Sequence, residues 1–117
     1  MDREDFEKIV ILAMKEIPVK FRHRMENIEV VIENKPSRTT LKQQNIKSGN
    51  LLLGLYQGVP ITKRDTFYTN VLPDKITIFQ ENVEKIAGGE ENLKEAIKKV
   101  IIHEIGHYYG LGEKDMT

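Results

Sequence analysis

Two of the three histidines in the chain, His103 and His107, stand four residues apart in the run His103-Glu104-Ile105-Gly106-His107. On a helix, at about 100° per residue, positions four apart lie about 40° from each other around the axis and one turn apart along it, so both imidazoles can face one ion. Glu104 falls about 60° to 100° from the two histidines. That offset suits a general base working on water beside the ion better than it suits a ligand. The chain has no cysteine, so a metal would have to be held by imidazole and carboxylate. That donor set fits zinc, and other divalent ions accept it too.

A catalytic zinc site takes three protein ligands and keeps one exchangeable position. Glu113, ten residues past His103, would lie about 15 Å up the axis if the helix simply continued. Gly110 stands where a left-handed residue can close a helix, and Gly112 adds freedom just before the acid. The spacing H-x-x-x-H-x-x-G-x-x-E therefore predicts a helix, a reversal and a returning carboxylate, with Glu113 as the third ligand and Asp115 as its alternative. In a shuffled chain of this composition the five-residue pattern occurs about once in a hundred, and with the added glycine and acid about once in ten thousand. The plainer alternative makes both histidines hydrogen-bonded helix residues without a metal, and the carboxylate between them argues against it. Gly106 costs about 1 kcal/mol relative to alanine inside a helix, which predicts close packing against a sheet there. Tyr56, Tyr68, Tyr108 and Tyr109 are candidate donors to a developing oxyanion, and Arg64 is a candidate partner for a substrate carboxylate or carbonyl.

The elements that must position these residues follow from periodicity. Phe6, Ile9, Val10, Ala13, Met14 and Ile17 form an apolar stripe on a helix from Arg3 to Ile17, stopped by Pro18. Asn27 to Glu33 is rich in β-branched residues and reads as a strand. Residues 34–50 are polar and longer than an ordinary connection, hence mobile or functional. Leu51 to Tyr56 reads as a buried strand, with Gly54 marking a bulge or a close backbone approach. Gln57-Gly58-Val59-Pro60 is a turn, and Lys75 to Gln80 is the clearest strand in the chain. After Gly88-Gly89, the residues Leu93, Ala96, Ile97, Val100, Ile101 and Ile105 mark a helix of about five turns that carries the histidines. The expected fold class is α+β, with two helices covering one small mixed sheet.

Composition sets the outer limits. A length of 117 residues with 39% hydrophobic content fits one domain spanning residues 1–117. Eighteen basic and eighteen acidic side chains cancel, so no net field attracts nucleic acid or an anionic membrane, and neither is expected as a partner. No apolar run approaches the roughly 20 residues of a spanning helix. The amino end lacks a basic region followed by an apolar one, so the expected location is the cytoplasm.

The segments Leu53 to Pro60, Pro73 to Phe79 and His103 to Leu111 resemble the small bacterial zincin-like metallopeptidases, minimal single-domain proteins, over most of the chain from Leu51 onward. That resemblance implies a reduced zincin fold, one zinc ion at His103 and His107, Glu104 as catalytic acid/base, and a peptide or protein substrate. The family often carries Asp where this chain has Glu113. Similarity to larger zincins further implies that the strand Lys75 to Gln80 offers a sheet edge to an extended peptide. The reading of another class is a catalytically silent, metal-stabilised module that binds a protein partner through residues 34–50.

Overall fold

Asp74–Phe79 is the middle strand of the sheet, and the surrounding elements are placed by what that strand must have covered. The computed structural model describes residues 1–22, 25–58 and 73–108. Among these residues the elements are helix α1 (Arg3–Lys15), helix α2 (Val19–Arg22), strand β1 (Ile28–Glu33), helix α3 (Arg38–Gln43), strand β2 (Gly54–Gln57), strand β3 (Asp74–Phe79), helix α4 (Gln80–Ala87) and helix α5 (Leu93–Tyr108), the last entered through a 3-10 turn at Glu90–Asn92. The sheet order is β1-β3-β2, with β1 parallel and β2 antiparallel to β3. This is the mixed α+β architecture the periodicity predicts. No helix of the described residues is long and apolar enough to cross a membrane.

Register decides which side chains form the core. Val30 and Tyr56 lie opposite Ile76, and Ile32 and Gly54 lie opposite Ile78, so these residues share one face of the sheet. Ile76 and Ile78 are fully buried there. Phe6, Val10 and Ala13 of α1, then Ile17 and Phe21, join Leu93, Ile97, Val100, Ile101 and Ile105 of α5 in the same cluster. Steps of three and four along both helices are what turn a linear pattern into one continuous apolar stripe. Outside this core, the exposed carboxylate of Glu16, just past α1, meets Lys94 at 2.6 Å and Lys98 at 3.2 Å on α5. These contacts hold its carboxyl below the usual range.

Several sequence expectations change. The strand read as Lys75 to Gln80 is the central one, so it offers no free edge; among the described residues the edges are β1 and β2. Gln80 begins α4 instead of ending the strand. Its side-chain amide donates to the Met1 carbonyl and to Glu84 Oε1, and its oxygen accepts from Arg3 Nε. The strand passes into α4 without a turn residue, and Phe79 at the cap position makes no side-chain cap bond, so the usual start signal is missing. The polar stretch 34–50 contains α3, capped by Ser37 Oγ accepting from the Thr40 amide at 3.1 Å. Leu51 to Leu53 stay outside the strand, although the Leu53 carbonyl still accepts from the Phe79 amide.

Gly54 carries the packing of α5 on β2. A Cβ at that position would lie 2.5 Å from Val100 Cγ1 and 3.2 Å from the Thr77 carbonyl oxygen. The first neighbour is a stiff β-branched side chain and the second is backbone, so neither yields cheaply. We predict that Gly54→Ala destabilises the protein by about 1–3 kcal/mol. Adding Val100→Ala should return part of that loss in a double-mutant cycle of thermal melts, and strictly additive costs would show that the two residues do not compete for space.

Candidate metal centre

The last two turns of α5 are divided by burial. Ile105 and Gly106 are buried, Glu104 is half-buried, and His103 and His107 are exposed. Gly106 is on the buried side of the helix. The 3.6-residue period then leaves both imidazoles facing outward together: their ring centroids lie 4.0 Å apart with the planes tilted by 58°. One donor atom from each of His103, Glu104 and His107 falls within 4.8 Å of the other two.

Glu104 is held from the sheet side. Its Oε1 accepts a hydrogen bond from the Tyr56 backbone N–H at 3.1 Å. The contact is short-range because Gly54, two residues earlier on β2, lets the helix come close; a Cβ there would sit 3.6 Å from Glu104 Cγ. Burial pushes the Glu104 carboxyl above its ordinary value, and the Tyr56 amide and the nearby His107 oppose that rise. The Tyr56 side chain faces the core, where its hydroxyl donates to Asp74 Oδ2 at 2.8 Å. That proton is therefore committed to Asp74. Tyr108 stacks on Tyr56, with centroids 4.0 Å apart and planes 16° from parallel. Its ring lies over Gly58, where a Cβ would be 2.8 Å from the Tyr108 hydroxyl.

The structure thus brings three of the sequence-predicted residues, His103, Glu104 and His107, into one cluster. Glu113 and Asp115, the candidates for the third ligand, lie outside the described residues, as do Gly110, Gly112, Tyr68, Tyr109 and Arg64. The Tyr56 amide and the Asp74 carboxylate are the contributors that sequence reasoning missed. A backbone N–H exists at almost every residue, so nothing in the sequence singles one out; the nearest signal was the glycine inside the strand. His103 and His107 offer two imidazole donors with no sulfur and with the Glu104 carboxylate alongside, and such donors fit zinc.

A mixed sheet crossed by a helix that presents two adjacent imidazoles beside a sheet-anchored carboxylate defines the class, a metallopeptidase-type fold of minimal size. The chain belongs to the zincin-like metallopeptidase family, whose model matches residues 25–117. Among solved structures it is similar to a conserved hypothetical protein from Thermus thermophilus, with a TM-score of 0.61, 21% sequence identity, and coverage of 93% of this chain and 94% of that one. At that identity the likeness speaks for the fold. A search of curated proteins finds no match.

The raised Glu104 carboxyl has a consequence for stability. Between the ordinary value of 4.5 and the raised one, the folded chain binds more protons than the unfolded chain, so stability falls as pH rises through that window. Glu104→Gln keeps an acceptor for Tyr56 and removes the buried charge. We predict that the metal-free variant melts above metal-free wild type at pH 7, with the margin vanishing below about pH 4.5. An equal margin at both pH values would remove burial as the cause.

Proposed function

We propose that the protein is a zinc-dependent peptidase in which Glu104 is the general acid/base and His103, His107 and Glu113 are the metal ligands, Asp115 being the alternative to Glu113. The observation that carries this reading is the Glu104 carboxylate pinned by the Tyr56 amide beside two adjacent imidazoles. A zinc ion held by His103 and His107 would polarise a peptide carbonyl as a Lewis acid and would lower the pKa of its water to near neutral.

The protein's own part is to move the proton. With Oε1 occupied by the Tyr56 N–H, the second oxygen of Glu104 is the one able to take a proton from water and pass it to the leaving amine. Burial, which raises the carboxyl, helps it hold that proton between the two transfers. The amide contact also fixes the carboxylate's position before substrate arrives, so little reorganisation is needed at the moment of reaction. The substrate is a peptide or protein segment. Of the two edge strands among the described residues, β2 is the one α5 packs against, so an extended peptide is best placed along β2, with its scissile bond brought to the histidines.

Elemental analysis and a peptide-library assay test this together. Glu104→Gln should retain one zinc per chain and lose at least about 10²-fold in hydrolysis, while His107→Ala should lose the metal. Undiminished turnover in the glutamine variant would overturn the mechanism. A metal with its fourth position closed by protein, and no cleavage by the zinc-loaded wild type, would favour the silent binding module.

A further inference from the structure

Strand β1 has β3 on one side and, among the described residues, no strand on the other. The Asp74 N–H donates to the Asn27 carbonyl. Because bonding to one neighbour recurs at every second residue of a parallel pair, Glu29, Val31 and Glu33 also face β3, and the N–H and C=O groups of Ile28, Val30 and Ile32 point outward. Arg3 Nη1 donates to the Ile32 carbonyl from that outer side, in agreement with this, and a carbonyl oxygen has a second lone pair to offer. Ile28, Val30 and Ile32 are only partly buried. Over this edge, Glu7, Val10, Ile11 and Met14 of α1 and residues 30–32 of β1 enclose a groove of about 300 Å³ that is apolar except for Glu7. Ile11 is 53% and Leu12 51% exposed. An apolar edge strand beside exposed apolar helix residues is a template for another strand.

We infer that the occupant of this edge is a second copy of the chain, paired β1 to β1 and antiparallel about a two-fold axis at Val30, so that two three-stranded sheets become one of six strands. With Val30 opposite Val30 of the second copy, Ile28 falls opposite Ile32, and every outward-pointing residue meets another with which it exchanges hydrogen bonds. Glu29 then faces Val31, and Glu33 faces Asn27. Sliding one copy by two residues sets Glu29 opposite Glu33 or opposite Glu29 of the second copy, and like charges directly opposite disfavour pairing. Sliding it by one residue turns the core face over. The self-paired register is therefore singled out by charge as well as by hydrogen bonding. Helix α1 supplies an independent match. Arg3 reaches Ile32, and Ile11, eight residues on, lies about 12 Å further along the helix. That is the length of about three or four strand residues, which puts Ile11 level with the middle of β1 and beside the axis. Glu7 and Lys15, both exposed, stand four residues to either side of Ile11. The same rotation thus turns Glu7 of each copy toward Lys15 of the other. Strand β2, which carries the contact to Glu104, lies at the opposite edge, so the interface is separate from the proposed chemistry and does not rest on it.

Sedimentation velocity and amide hydrogen exchange, followed from micromolar to near-millimolar protein, test the pairing. The chain should pass from monomer to dimer. The amides of Ile28, Val30 and Ile32 should gain protection as it does so, while those of Glu29 and Val31, bonded to β3, should be protected at every concentration. Val30→Pro removes an outward donor and no bond to β3, so this variant should keep a cooperative melt and stay monomeric. Glu7→Lys and Lys15→Glu, each at an exposed position, should each weaken the dimer at least about fivefold, and the double variant should return to within about twofold of wild type. The charge pair decides the matter even where Val30→Pro does not fold. A monomer at every concentration would overturn the inference, whether or not an extended peptide then binds along β1. So would a dimer whose outward amides still exchange freely, or charge-reversal losses that simply add.

Discussion

The structure depends on how closely α5 can approach β2. Where Val100 and Glu104 cross the strand, Gly54 removes the one side chain that would hold the two elements apart. Everything at the candidate site follows from that contact. The helix buries Ile105 and Gly106 inward, its outer face is left with two histidines, and the carboxylate between them reaches a backbone amide of the strand. Close packing of this kind transmits position well, because an interior at crystal-like density yields little to small displacements.

That geometry has an energetic cost which a purely structural residue would not incur. A half-buried carboxylate with one backbone donor is less comfortable than one in water, and its raised proton affinity records this. Groups held in such conditions cluster at functional sites, since the same desolvation that weakens the fold tunes the proton transfer. The Tyr56 to Asp74 hydrogen bond and the Tyr56 to Tyr108 stack work in the opposite direction. They anchor β2 and the end of α5 to the core, so that the cost is borne on a rigid support.

The periodic elements were legible in the residue pattern because burial repeats. The α1 and α5 stripes and the β-branched strands β1 and β3 each bury one face, and one face at a fixed period is what a linear pattern can encode. Elements with weak or absent signals were not legible. Helix α4 follows β3 without a capping side chain, and α3 buries no residue at all, so its only mark was the Ser37 cap inside a stretch of polar residues. The edge role expected for Lys75 to Gln80 failed for a related reason. A strand's alternation shows that it is a strand, while its place in the sheet depends on partners far away in the sequence.

By itself, the sequence determined the chemistry on offer: two imidazoles one helical turn apart, a carboxylate between them, no thiol, and a glycine inside a strand that marks either a bulge or a close approach. These are local facts, set by residue type and by the pitch of one helix. Tertiary structure alone decided that the Tyr56 amide would meet Glu104, that β3 would be central, and that α4 and residues 51–53 would leave an apolar groove along α5 up to His103. Each of these joins segments tens of residues apart through backbone groups or shape. Neither a backbone amide nor an empty volume has a letter in the sequence.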